Sequence, residues 1–257
     1  MLRNSYRLPS LLLFTFFVLG TTTAQATVIH TNVSGATVNY TAISEGSPTG
    51  DPEPLYGQPF ASVNNLIFTP TASFAALSTS GGPADQTDGK LTFIATAKPG
   101  FALGVINFDE SGLTVLNAPF GGDAFTSVLA FAEIKVLATS GVPVSAPSNN
   151  YFFSFTPDSS FLHSADALGP SLPFATGWNG SLSVTLPANT SKILVTLDNH
   201  LYAATVGVGT GALIDKKGFE VDFDTELDPN NDIPEPTTLL LGWLGISFIT
   251  LRRRGSL

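Results

Sequence analysis

Apolar and polar residues alternate in short runs through the middle of this chain, and the runs are rich in Val, Ile, Thr and Phe. Residues 36–43, 90–97, 104–108, 181–186 and 192–197 show it most clearly, each flanked by Gly, Pro, Asn or Asp. A period of two over so few residues, bounded by turn formers, predicts β-strands. Residues 124–137 also admit a helical reading. Their β-branched and aromatic content, and the Gly121-Gly122 approach, predict a long strand instead. Residues 47–54 and 80–85 have the composition of exposed loops. The pattern predicts an all-β chain, with one antiparallel β-sandwich of jelly-roll type over residues 27–228. A weak internal echo keeps two small sandwiches as the alternative: Phe68-Thr69-Pro70 resembles Phe155-Thr156-Pro157, and Asp88-Gly89-Lys90-Leu91 resembles Asn179-Gly180-Ser181-Leu182. In each copy the Pro would block further ladder pairing.

The two ends break this pattern. Arg3 and Arg7 precede the apolar run 11–19, and Ala24-Gln25-Ala26 supplies a small-x-small site. That order predicts a signal peptide over residues 1–26, cut after Ala26 so that the mature chain starts at Thr27. At the other end a linker, residues 229–233, leads to Pro234-Glu235-Pro236, an apolar run 237–251 and Arg252-Arg253-Arg254. As a helix the 15 residues of that run would span about 22 Å, short of a hydrocarbon core of about 30 Å. The arginines resist translocation, which would leave the C-terminus in the cytoplasm and everything before Pro234 outside. Pro236 suits a first helical turn, and Pro234 keeps the preceding chain extended and open to a protease. An uncut tail anchor is the competing reading.

This tail, residues 234–257, resembles the PEP-CTERM sorting segment of bacterial exported proteins. The resemblance implies a Sec-type export machinery and signal peptidase as partners. It also implies an inner-membrane precursor held by its tail, an exosortase-like membrane protease cutting near the tripeptide, and a setting of exopolysaccharide and biofilm production. A second similarity covers most of residues 36–227. It is carried by Leu55-Tyr56-Gly57-Gln58-Pro59, Asn65 to Pro70, Thr87 to Leu91, Phe108 to Gly112, Leu197 to Leu201 and Ile214 to Phe219. These resemble, in order and spacing, PEP-CTERM proteins whose exported part is one long β-rich domain. The motifs are turn and strand signatures, so the similarity implies architecture and no activity.

Charge narrows the partners. One of the 20 acidic and five of the 11 basic residues lie in the targeting ends, leaving 19 acidic against 6 basic and a formal charge of −13. Such a surface repels phosphate backbones, so nucleic acid is not expected as a partner. With no cysteine in the chain, disulfides, thiolate catalysis and cysteine-ligated metals are excluded.

Catalytic chemistry is thinly signalled. Glu220, Asp222, Asp224, Glu226 and Asp228 alternate with mostly apolar residues, so a regular strand would put all five carboxylates on one face. Read first, this is a solvated last strand whose charge blunts edge pairing. Read second, Asp222, Asp224, Glu226 and Asp228 are Ca²⁺ ligands, the one cofactor the chain suggests. Asp109-Glu110 has the residue types of a glycosidase pair, yet neighbours on a strand face opposite ways, and a partner such as Asp198 would be needed. His163-Ser164-Ala165-Asp166 holds triad residue types without a nucleophile elbow. His30, His163 and His200 show no metal-ligand spacing and are expected on the surface or in loops. Trp178, in a glycine-flanked turn, is expected to plug the core, with sugar stacking as the alternative.

The sequence therefore predicts a non-enzymatic exported protein of the cell envelope or extracellular matrix. A carbohydrate-binding or carbohydrate-cleaving module is the alternative. Ice binding ranks below both: this kind of tail also ends some ice-binding proteins, but the chain has no sustained Thr-x-Thr repeat.

Overall fold

A computed structural model of the protein describes residues 27–118, 122–164 and 173–229. The expected signal peptide and cleavage residues Ala24 and Ala26 lie outside this range, as do Ala165-Asp166 and the sorting residues Pro234, Glu235, Pro236 and Arg252 to Arg254. Among the described residues every regular element is a strand. In chain order they are β1 (Val28–Ile29), β2 (Val33–Ser34), β3 (Val38–Gly46), β4 (Phe60–Ser62), β5 (Asn65–Phe68), β6 (Ala75–Thr79), β7 (Asp85–Ala97) and β8 (Phe101–Asn117). There follow β9 (Asp123–Thr139), β10 (Val142–Pro143), β11 (Ser148–Phe152), β12 (Ser154–Thr156), β13 (Ser160–Ser164), β14 (Phe174–Val206) and β15 (Gly211–Leu227).

All pairings are antiparallel, and they join into one curled sheet through β14. The first part of β14 pairs with β8 from Phe174↔Leu116 to Thr185↔Val105, and β8 carries β15 on its other edge. The second part runs between β7 and β9, and β7 carries β3 on its far side. Residues 181–186 and 192–197, which alternation presents as two strands, are thus one element. The ladder changes partners where the register shifts between Thr185 and Ile193. Three residues explain the break. Pro187 has no N–H for a ladder, Asn189 sits at φ 60°, and the Thr190 hydroxyl donates to the Pro187 carbonyl at 2.6 Å.

Residues 124–137 lie within β9, in agreement with the strand reading. Both Phe-Thr-Pro segments end a strand, β5 at Phe68 and β12 at Thr156. The inward faces build one apolar cluster that includes Tyr40, Phe93, Ile106, Phe108, Trp178, Leu197 and Phe223. Tyr56 lies at its aromatic centre, with rings of Phe74, Phe219 and Phe68 at 5.0, 5.5 and 5.9 Å.

Candidate functional site

The inward face of β14 is apolar at Leu197 and Leu201 but carries Asn199 between them, fully buried. Across the core from it stand Glu110 of β8 and Lys216 of β15, whose side chains are both 0 % exposed. Lys216 follows Ala212 and Ile214 on the inward face of β15, and the β8–β15 register shifts just after it, between Lys216 and Gly218. That bulge, with Lys217 as the extra residue, puts Phe219, Val221 and Phe223 inward as well. The Lys216 ammonium and the Asn199 carboxamide both donate to the same oxygen of Glu110, Oε2. Nζ of Lys216 lies 4.7, 5.1 and 5.3 Å from the ring centroids of Phe219, Tyr56 and Phe74, an aromatic box that excludes water.

Burial pulls the Lys216 amine below its ordinary pKa, and the Glu110 carboxylate opposes that shift. Burial, followed by the charges of Glu110 and Glu45, pushes the Tyr56 phenol well up, so it stays a neutral donor to the Gly89 carbonyl at 3.0 Å. Glu110 Oε1, Asn199 Oδ1 and Trp178 Nε1 are buried with no hydrogen-bond partner among the described residues. Two of these atoms, Glu110 Oε1 and Asn199 Oδ1, belong to the buried trio itself, and unpaired polar atoms there are costly for a structural core.

The outward face of β14 alternates with this centre. Asp198 and His200 flank Asn199 there, and His200 is in register with Asp88 of β7. His200 Nε2 is 2.9 Å from Asp198 and Nδ1 is 3.4 Å from Asp88. The ligand atoms of the three lie within 4.8 Å of one another, so this is the trio that offers a cation two carboxylates and an imidazole. Burial, then the neighbouring Asp198, raises the Asp88 carboxyl to about 6. Neither the buried trio nor this outer one is apparent in the chain, because each joins residues of different strands. The i, i+2 spacing of Asp198 and His200 on one strand face was the signal available.

The expected site residues fall elsewhere. Asp109 is exposed and Glu110 buried, on opposite faces as alternation requires, and Glu110 is held by Lys216. Asp109 lies between two surface clefts. One, of about 410 Å³, has Asp109, Glu110, Ser111, Asn179, Phe219 and Glu220 among its lining residues. The other, of about 400 Å³, includes Asn107, Asp109, Phe152, Ser154, Ser181 and Ser183.

Several expectations are corrected. Trp178 is 0 % exposed and packs edge-on to Phe155, the core plug that was expected; it stands within β14 and not in a turn, and its indole has no face open for the alternative, sugar stacking. The five carboxylates do not share a face. The extra residue at the register shift between Asp224 and Thr225 is Gly104 of β8, so Glu220, Asp222, Asp224 and Glu226 keep the outward face, whereas Asp228 lies past the end of β15 and is buried, its N–H donating to the Gly100 carbonyl. Asp222, Asp224, Glu226 and Asp228 therefore do not line up as one ligand row. His30 is buried and bonds Glu45 at 2.7 Å, because β1 folds back on β3. His163, on β13, stacks with Phe174 at 6.1 Å.

No protein-family model and no curated protein sequence matches this chain. Among solved structures it is similar to the enzymatically active domain of bacteriophage CBA120 tailspike protein 4, at 12 % identity and a TM-score of 0.22. The match covers 78 % of this chain and 19 % of that one, so this chain spans about a fifth of the tailspike's length. It is also similar to TmCBM61, solved in complex with β-1,4-galactotriose, at 9 % identity and a TM-score of 0.22, over 64 % of this chain and 82 % of that one.

Proposed function

We propose that this chain is a non-enzymatic bacterial protein exported to the cell envelope or extracellular matrix, its curled sheet serving as a jelly-roll-like sandwich. The observation that carries this reading is the paired signal in the sequence, with a cleavable leader before Thr27 and the order Pro234-Glu235-Pro236, apolar run, Arg252-Arg253-Arg254 after the last strand. Export would proceed through a Sec-type machinery. The run 237–251 would hold the precursor in the inner membrane until an exosortase-like protease cuts at the tripeptide. The fold supports a structural role in that its buried ionisable groups are engaged with one another inside the core.

Mass mapping of both termini, on protein taken from the envelope and the medium of its own host, tests this. A product starting at Thr27 and ending within residues 234–236 supports it. A product that retains Arg252 to Arg254 makes this a membrane-anchored surface protein instead.

A second reading, glycan binding, is favoured by the clefts on either side of Asp109, whose walls combine carboxylates, amides and hydroxyls with an apolar floor. It predicts binding on a glycan array that is lost in Asp109→Ala and Asn179→Ala. Unchanged binding in both variants, or no binding by the wild type, removes it.

A further inference from the structure

A lysine and a glutamate sealed in an aromatic core need a reason, because hydrophobic residues of similar volume stabilise such positions as well or better. Here the pair has a third member, the carboxamide of Asn199. The lysine nitrogen and the carboxamide nitrogen meet the same carboxylate oxygen, so they are no further apart than two hydrogen bonds laid end to end. We propose that Lys216 and Asn199 join through an intramolecular isopeptide bond, with Glu110 as the group that moves the protons.

Each requirement of that reaction is met by a residue already described. An amine attacks only as the neutral base, and desolvation in the box of Tyr56, Phe74 and Phe219 favours that form. Glu110 takes a proton from the ammonium, and the free Nζ adds to Cγ of Asn199. Glu110 then protonates Nδ2 and accepts the second Nζ proton as the Cγ–Nδ2 bond breaks and ammonia leaves. One N–C bond forms, one breaks, and nothing is oxidised or reduced. A neutral Glu110 carboxylic acid remains beside a neutral amide, so the buried charges that were costly to enclose are gone. The aromatic wall keeps out the water that would compete with the amine.

The fold holds the partners where the bond is useful. Asn199 stands on the part of β14 between β7 and β9, whereas Lys216 stands on β15 beside β8. The bond would tie the two parts of the curled sheet together in a chain that has no cysteine for a disulfide.

Trypsin supplies a direct test on the folded full-length protein. No Lys or Arg lies between Lys192 and Lys216, so the free chain releases peptide 193–216. A modified Lys216 is not cut. The proposal expects peptide 193–217, lighter than its sequence mass by one ammonia, about 17 Da, and refractory to fragmentation between Asn199 and Lys216 because that segment is a ring. Glu110→Gln is expected to give the linear peptide. Asn199→Asp is expected to lose water instead and give the same ring product as the wild type.

A linear peptide of full mass from the folded wild type overturns the proposal, and needs no variant to fold. So does a peptide that has lost ammonia but is still cut after Lys216, which is a succinimide at Asn199. A complete ring in Glu110→Gln would remove Glu110 from the reaction.

Discussion

Gly112 of β8 lies flat under the indole of Trp178, its register partner on β14. A Cβ at Gly112 would stand 2.3 Å from the ring and 2.0 Å from the Asp215 carbonyl. The largest side chain of the core thus occupies the space that a missing side chain leaves on the next strand. Trp178→Ala is expected to cost about 3–5 kcal/mol through the cavity it opens. Gly112→Ala is expected to cost about 1–3 kcal/mol or more, since the Asp215 carbonyl is backbone and cannot swing aside. Urea unfolding followed by far-UV circular dichroism measures both. A Gly112→Ala midpoint equal to the wild type would show that the indole repacks freely.

Glu45 anchors the loop that follows β3. One oxygen meets His30 at 2.7 Å, and the other accepts the N–H groups of Leu55 and Tyr56 at 2.8 and 2.6 Å. Removing the carboxylate leaves two buried backbone donors and an imidazole without an acceptor, so Glu45→Ala is expected to cost about 3–5 kcal/mol. Hydrogen exchange should rise first at Leu55 and Tyr56. Exchange that remains slow there would show the loop to be held by its apolar contacts alone.

Asp88 makes stability depend on pH. Its carboxyl is raised from 3.8 to about 6 by burial and by Asp198, against the opposing effect of His200, so the folded protein keeps a proton that the unfolded chain releases. Stability is therefore greatest below about pH 4 for this group, falls as pH rises towards 6, and levels above it. Asp88→Asn is expected to flatten that slope. Unfolding midpoints between pH 4 and 7 that decline equally in the variant would assign the slope to other carboxylates.

The outward row on β15 is repulsive. Burial raises the pKa of Asp222, and the charges of Asp224 and Asp109 raise it further; Glu220 is in register with Asp109. Asp222→Asn is expected to stabilise the protein at pH 7 by less than about 1 kcal/mol, and added salt should narrow the difference. A destabilised variant would reveal a favourable partner for Asp222.

Much of the architecture was legible in the chain, because the residues that form a strand also announce it. The alternation at 36–43, 90–97 and 104–108 lies in or overlaps β3, β7 and β8, and the β-branched content of 124–137 distinguished strand β9 from a helix. Period-two logic also separated Asp109 from Glu110. It failed wherever a bulge intervenes. The shift after Lys216 puts Phe219 and Val221 on the same face as Lys216, against a strict period of two, and the shifts between Thr185 and Ile193 lie inside one long strand where alternation presents two. Pro187 marks the break in β14 locally, whereas the faces on either side of the shift after Lys216 are set together with the partner strand.

The meeting of Glu110, Asn199 and Lys216 lay further beyond reach. Each sits in an ordinary strand pattern, and their separations of 89 and 106 residues from Glu110 carry no spacing rule. The chain by itself determined which strand faces are apolar. Only tertiary structure decided which polar side chains would be enclosed together, because a buried charge is tolerated when strands distant in sequence bring it a partner.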